Sequence, residues 1–285
     1  MKMNQTISKI LFYSILILLF LPMIQEEYRW VKVNALEGYD PIMPKDSALT
    51  AKTWLTGSYQ VAKENYRERF FGFRNWGIRL NNQMKYSLFE ASEVDNIVIG
   101  KNNYLYGVDY VQAYRGDDFV GEDVIQIKLE RFKRLQDTLS KLGKHLFVIV
   151  TPNKADYFSE FLPNEQQKNI REIKTNYAYY IKGFKEQKIN HIDINQWFMD
   201  LKPKVEYPLF SQTGIHLTDY GSALFSDTLI GYVERALNKD LPDFTWSNIT
   251  LSAVAKDDDN DAEEALNLML RLPYYKLPYL KVNID

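Results

Sequence analysis

Cysteine is absent from the 285 residues. That excludes a thiol nucleophile, a thiolate metal site and disulfide staples, so the core alone must hold the fold. Histidine is scarce, with three in the chain: His145, His191 and His216. A large charge of either sign is missing as well. The net charge of -2 argues against a partner bound through its phosphates, and no nucleic acid is expected. Nowhere before Asp285 is there a Gly-Asp-Ser or Gly-x-Ser-x-Gly turn, the sharp corner that exposes a serine nucleophile. The acidic run Asp257-Asp258-Asp259-Asn260-Asp261 lacks the spacing and glycine of a calcium loop. Capping of the following helix, about Ala262 to Leu270, accounts for it without a metal. Neither metal nor cofactor is expected.

What is present points to a packed globular chain. Hydrophobic residues make up 46%, and the length suits one large domain or two small ones. The 20 tyrosines and 16 phenylalanines would suit a carbohydrate-facing surface, although core packing is the commoner use of aromatics. Ile10 to Ile24 is a nearly unbroken apolar run, preceded by Lys2 and Lys9 and followed by Glu26 and Glu27. That pattern predicts a signal anchor or signal peptide over 1–27, with the rest of the chain exported. No Ala-x-Ala-like cleavage site follows, which favours the anchor. Residues 28–64 then form a juxtamembrane segment, and 65–285 the main domain.

Within that domain the periodicity alternates. Apolar spacing predicts helices over Arg74–Leu88, Glu122–Leu142, about Lys168–Lys188 and Thr218–Leu237, with a weaker one over Ala51–Tyr66. Asn96 to Gly107 reads as a hairpin around Gly100-Lys101-Asn102-Asn103. His145–Thr151 and Ile189–Ile194 read as short buried strands of a mostly parallel sheet flanked by helices, giving an α/β fold. Ligands of such sheets bind beyond the carboxyl ends of the strands. Lys154 and Tyr157, in the loop after the first of these strands, are therefore candidate substrate contacts.

His216 is the candidate catalytic residue. It lies in Gly214-Ile215-His216-Leu217-Thr218-Asp219, at the mouth of a helix, where an imidazole can move protons near neutral pH. The helix dipole disfavours the imidazolium, which suits a base that must start neutral. Thr218 adjoins it as a further substrate contact. His145 and His191 sit in strands and read as structural.

Three segments in order carry a resemblance. Phe71-Gly72-Phe73-Arg74-Asn75-Trp76 leads into Val98-Ile99-Gly100-Lys101-Asn102-Asn103-Tyr104. Thr151-Pro152-Asn153-Lys154 leads into Glu160-Phe161-Leu162-Pro163. Pro208-Leu209-Phe210 leads into Gly214-Ile215-His216 and Tyr220-Gly221. Together they resemble the alginate O-acetyltransferase family of AlgX and AlgJ, over roughly Asn65 to Leu270. The resemblance implies a circularly permuted SGNH-hydrolase-like domain at the periplasmic side of the inner membrane. It implies acetyl transfer to a sugar hydroxyl through a serine ester, with a polysaccharide and a membrane-bound acyltransferase as partners.

In that family an Asp-x-His motif supplies two members of the triad, and a later Gly-Asp-Ser turn supplies the third. Here His216 matches the histidine, Gly214 stands at the aspartate position, and no serine turn follows. Asp219 and Asp227 are the alternative acids nearby. The resemblance therefore leads to the expectation of an incomplete domain that lacks its C-terminal strand and is inactive by itself. A non-catalytic polysaccharide-binding protein and an acetyl esterase are the rival readings.

Overall fold

The computed structural model describes residues 5–38, 47–167 and 174–284. The chain forms two compact units. One comprises residues 1–89 with 267–270, the other residues 90–266 with 271–285.

The first unit is helical among its described residues. Helix α1, Gln5–Tyr28, runs 24 residues, about 36 Å at 1.5 Å per residue. The helix is thus longer than the apolar run that seeds it. Its segment Thr6–Tyr28 is long and apolar enough to cross a membrane, and its most apolar stretch is not buried against protein. Beyond it come α2 (Ala51–Leu55), α3 (Ser58–Phe70) and α4 (Arg74–Phe89). A reciprocal box between Thr50 and Thr53 caps α2. The expected juncture after residue 64 falls inside α3.

The turn from α3 to α4 lies against α1. A side chain at Gly72 would come within 2.7 Å of the Glu26 amide, so only glycine admits that approach. Asn267 joins this unit by accepting the Glu37 N–H at 2.8 Å and donating to the Glu37 carbonyl at 3.1 Å.

The second unit mixes helices with small sheets. Its hairpin pairs β1 (Ile97–Ile99) with β2 (Leu105–Gly107). Asn102 and Asn103 carry the turn at φ of 55° and 61°, which asparagine tolerates better than most residues. Then follow α5 (Val108–Arg115), α6 (Glu122–Lys141), β3 (Val148–Val150), α7 (Lys154–Tyr157), α8 (Asn176–Glu186), β4 (His191–Asp193), α9 (Ile194–Leu201) and α10 (Asp219–Leu237). Last come β5 (Phe244–Ser252), α11 (Asp261–Leu266) and β6 (Leu277–Ile284). Strands β3 and β4 are parallel, with Ile149 opposite Ile192.

Among the described residues, two hydrophobic clusters hold this unit. Ile125 and Leu129 of α6 meet Ile181 and Phe184 of α8, with Val148 and Val150 packed against them. The larger core gathers Tyr106, Tyr157, Phe158, Phe198 and Phe210. Within it Tyr104 stacks on Phe161 at 4.0 Å, and the Tyr106 hydroxyl donates to the Phe158 carbonyl at 2.8 Å.

The α/β class holds, but the expected arrangement changes in three ways. Among the described residues the strands form three two-stranded sheets, one parallel and two antiparallel, in place of one mostly parallel sheet. The C-terminal stretch is itself a strand, β6, which pairs antiparallel with β5. The acidic-run helix ends at Leu266, because Asn267 adopts φ 49° and turns its side chain to Glu37. The expected helix start at Lys168 lies outside the described residues; the helix is seen from Asn176.

Candidate functional site

The site grows from a tight loop between Phe210 and Leu217, which bridge each other as an isolated pair. The Ser211 N–H donates to the His216 carbonyl at 3.3 Å, and the Thr218 N–H to the Leu209 carbonyl at 3.0 Å. The Ser211 hydroxyl accepts the Gly214 N–H at 3.0 Å and donates to the Asp259 carbonyl. From outside, α11 clasps the loop: the Glu263 N–H donates to the Thr213 carbonyl at 3.0 Å.

Lys154 anchors the loop from inside. Its ammonium is fully buried and donates to the carbonyls of Leu105 (2.6 Å), Gln212 (3.0 Å) and Gly214 (2.6 Å). These three acceptors match the three donors of an ammonium group. Burial pushes the Lys154 amine down to about 7, against the opposing charge of Asp261. The lysine is aimed by Asn153, which caps α7 through the Ala155 N–H at 2.7 Å. Asn153 is held in turn by the Asn195 carboxamide oxygen, which accepts its N–H at 2.8 Å.

His216 emerges from this scaffold half-exposed. Its Nε2 lies 3.3 Å from Asp261 Oδ2, with the imidazole 53% and the carboxylate 28% exposed. The other carboxylate oxygen is fixed, because Asp261 Oδ1 accepts the N–H groups of Ile215 at 2.9 Å and Ala262 at 2.8 Å. A carboxylate clamped by two amides is placed to orient the imidazole; a proton carried on Nε2 toward it would leave the lone pair on Nδ1. Among the described residues no serine hydroxyl hydrogen-bonds to this imidazole.

The acid was the missed element. Asp261 comes from 45 positions down the chain, not from Asp219 or Asp227 on the helix that follows His216. The only signal in the sequence was its place at the end of the acidic run, where capping explained it as well. Nor does Gly214 stand where an aspartate could be restored. A Cβ there would come within 2.7 Å of the Asp259 carbonyl carbon.

The expected substrate contacts are all close to the loop, but enclosed. Lys154 spends its donors on carbonyls. Tyr157 packs on Phe198 and Phe210, and burial pushes its hydroxyl up to about 12. Thr218 caps α10, accepting the Gly221 N–H at 3.1 Å and donating to the Pro208 carbonyl at 2.7 Å. Their exposures of 0, 3 and 0% correct the picture of a ligand-facing surface, since none can touch substrate without the core opening. His191 and His145 are structural, the first with Nδ1 at 2.8 Å from the Ile189 carbonyl, the second stacked beside Phe147.

Comparison with known proteins gives the following. The family described as SGNH hydrolase-like domain, acetyltransferase AlgX, matches residues 97–261. The probable alginate O-acetylase AlgJ of Pseudomonas putida strain KT2440 is 23% identical over 120 residues, 42% of this chain and 30% of that protein. This chain therefore matches less than a third of the length of that curated relative. The solved O-acetyltransferase domain of P. putida AlgJ is 17% identical, with 67% of this chain and 66% of that one covered at a TM-score of 0.45. P. aeruginosa AlgX is 16% identical, with 66% and 44% covered at 0.47.

Proposed function

The chain belongs to the family of SGNH hydrolase-like AlgX acetyltransferase domains, and from that premise we propose that His216 and Asp261 supply the acid–base half of an acetyl transfer to hydroxyl groups of an exported polysaccharide. The observation that carries this is the clamped pair itself: Nε2 of a half-exposed imidazole 3.3 Å from a carboxylate oxygen, whose partner oxygen two backbone amides hold. Asp261 keeps the proton on Nε2. Nδ1 then takes the proton of the attacking hydroxyl as its oxygen bonds to the acyl carbon, and returns it to the departing group. Lys154 and Thr218 act one layer behind, setting the loop and the helix that present the histidine. Tyr157 packs beneath them.

The chemistry also needs a serine oxygen to carry the acetyl group. Ser211 is close in sequence, but it is buried and its hydroxyl is committed to Asp259 and Gly214. That observation favours a second reading, in which the chain alone binds polysaccharide without turning it over. The expectation for the chain by itself is correspondingly little turnover.

The test is acetyl transfer from p-nitrophenyl acetate to alginate oligosaccharides by the full chain in non-ionic detergent, read by mass spectrometry. If transfer occurs, His216→Ala should reduce it by about 10³-fold or more, and Asp261→Asn by a comparable factor. Transfer that survives both changes would place the chemistry elsewhere. Oligosaccharide binding with no transfer would support the second reading.

A further inference from the structure

Where the apolar run of α1 ends, the first unit holds a cavity of about 600 Å³. The last apolar residue of the run is Ile24, and Gln25, Glu26 and Glu27 follow it. Upstream, the consecutive residues Ile17, Leu18 and Leu19 are 62, 60 and 67% exposed. A helix that is apolar on every side and uncovered by protein suits lipid. At Gln25 the surroundings change, since that residue is buried and lines the cavity. The polar layer of a bilayer around α1 therefore falls at the level of the cavity.

Hydrogen bonds within the unit tie its walls together. The Gln25 carboxamide donates to the Val31 carbonyl at 2.5 Å and accepts the Val31 N–H at 3.1 Å. The loop so closed carries Arg29, at φ 45°, and Trp30. Beyond it, Asn75 and Arg79 of α4 donate to the Asn34 carbonyl at 3.0 and 3.1 Å. Gly72 leans on the last turns of α1, where a Cβ would come within 2.8 Å of the Gln25 Cβ. Loss of α1 would thus remove a wall.

The lining is mostly of one sign. Arg29, Lys32, Arg69 and Arg74 border the cavity, against a single carboxylate, Glu26. Arg29 and Lys32 are exposed and make no ion pair among the described residues. Much of the remaining lining is aromatic or aliphatic, including Trp30, Val31, Phe70 and Phe71. Trp30 and the neighbouring Tyr28 are exposed, and such rings settle at headgroup level.

We infer that this cavity binds the phosphodiester headgroup of an anionic phospholipid of the adjoining leaflet, the cations meeting the phosphate and the aromatic rings the first acyl carbons. A zwitterionic headgroup brings its own ammonium against the same cations, so the preference is for lipid of net negative charge. A polyuronate chain has the right sign but no apolar part to cover Trp30 and Phe71. Inorganic phosphate lacks that part as well. The inference takes α1 to stay attached and does not involve His216.

The test is native mass spectrometry of the full chain, released from non-ionic detergent micelles containing equal amounts of phosphatidylglycerol and phosphatidylcholine. Retained phosphatidylglycerol should exceed phosphatidylcholine by about fivefold or more. Arg29→Gln with Lys32→Gln should bring that ratio close to one, and Glu26→Gln should raise it. Lys141→Gln with Lys144→Gln, the same change of charge in the second unit, should leave it alone, and so should His216→Ala. In hydrogen exchange, phosphatidylglycerol but not phosphatidylcholine should slow the amides of Trp30 and Lys32. Equal retention of the two lipids would overturn the inference. So would a ratio that the Lys141 and Lys144 changes lower as far as those at Arg29 and Lys32. Slowing of the same amides by inorganic phosphate or by alginate oligosaccharides would replace the lipid with a different ligand and overturn it too. The intact mass in the same spectrum reports on α1, and a chain that has lost that helix would overturn the inference at its premise.

Discussion

The buried ammonium of Lys154 gives a pH signature that a surface lysine would not. Its amine falls from the ordinary 10.5 to about 7 in the folded chain, chiefly through burial. Above pH 7 the folded state therefore sheds a proton that the unfolded state keeps until about pH 10. Where the unfolded state binds more protons, stability rises with pH. The contribution is lowest below pH 7, where both states are charged, and grows through the window between 7 and 10. One proton corresponds to on the order of 1 kcal/mol per pH unit, so roughly 2–3 kcal/mol should accrue between pH 7.5 and 9.5. Lys154→Met keeps the length of the side chain and removes the titration. Urea unfolding followed by tryptophan fluorescence, at half-unit pH steps, should give a rising difference between parent and variant across that window. The offset at pH 7 will combine relief of a buried charge with loss of the bonds to Leu105, Gln212 and Gly214, so the slope is the informative quantity. Parallel pH curves for the two proteins would refute a low-pKa amine at this position.

Two further expectations concern packing and topology. Gly214→Ala should cost about 2 kcal/mol in urea unfolding, because its Cβ would crowd the Asp259 carbonyl carbon at 2.7 Å; an unchanged midpoint would show that the loop does not lean on that carbonyl. A phosphatase reporter fused after Asp285 should be active only outside the cytoplasm, and cytoplasmic activity of the fusion would reverse the orientation read from Lys2 and Lys9.

Much of the architecture could be read from periodicity where helices are long. Leu129, Phe132, Leu135 and Leu139 mark α6 without ambiguity, and Gly143 turns the chain after it at φ 66°. The ribbon of β5 and β6 was hidden for a physical reason. In β5 the apolar residues Phe244 and Trp246, then Ile249 and Leu251, alternate with polar ones, but Asn248 at φ 55° and the register shift between Ser247 and Thr250 break the phase, so no single period of two runs through the strand. Pro278 inside β6 argues against a strand unless that strand lies at an edge.

At the site, the position of His216 at a loop-to-helix junction was legible, and so was the strand-to-loop place of Lys154. The burial of Lys154 was not, since a lysine is expected to reach for water and only the fold reveals three carbonyls around it. The pairing with Asp261 was invisible because the interval between the partners contains a helix and a strand.

The tight seat of Gly214 against Asp259 bears on how such a site can be rewritten. Moving the acid to position 214 and deleting it at 261 is not a simple exchange of two letters. The 257–260 turn would occupy the room the new carboxylate needs, since its Asp259 carbonyl lies within contact of where that side chain must start. The loop seen here is therefore shaped around glycine at 214 and a carboxylate at 261. A redesign that seeks the other geometry must shorten or re-route the 257–260 turn first, and only then change the histidine's partner.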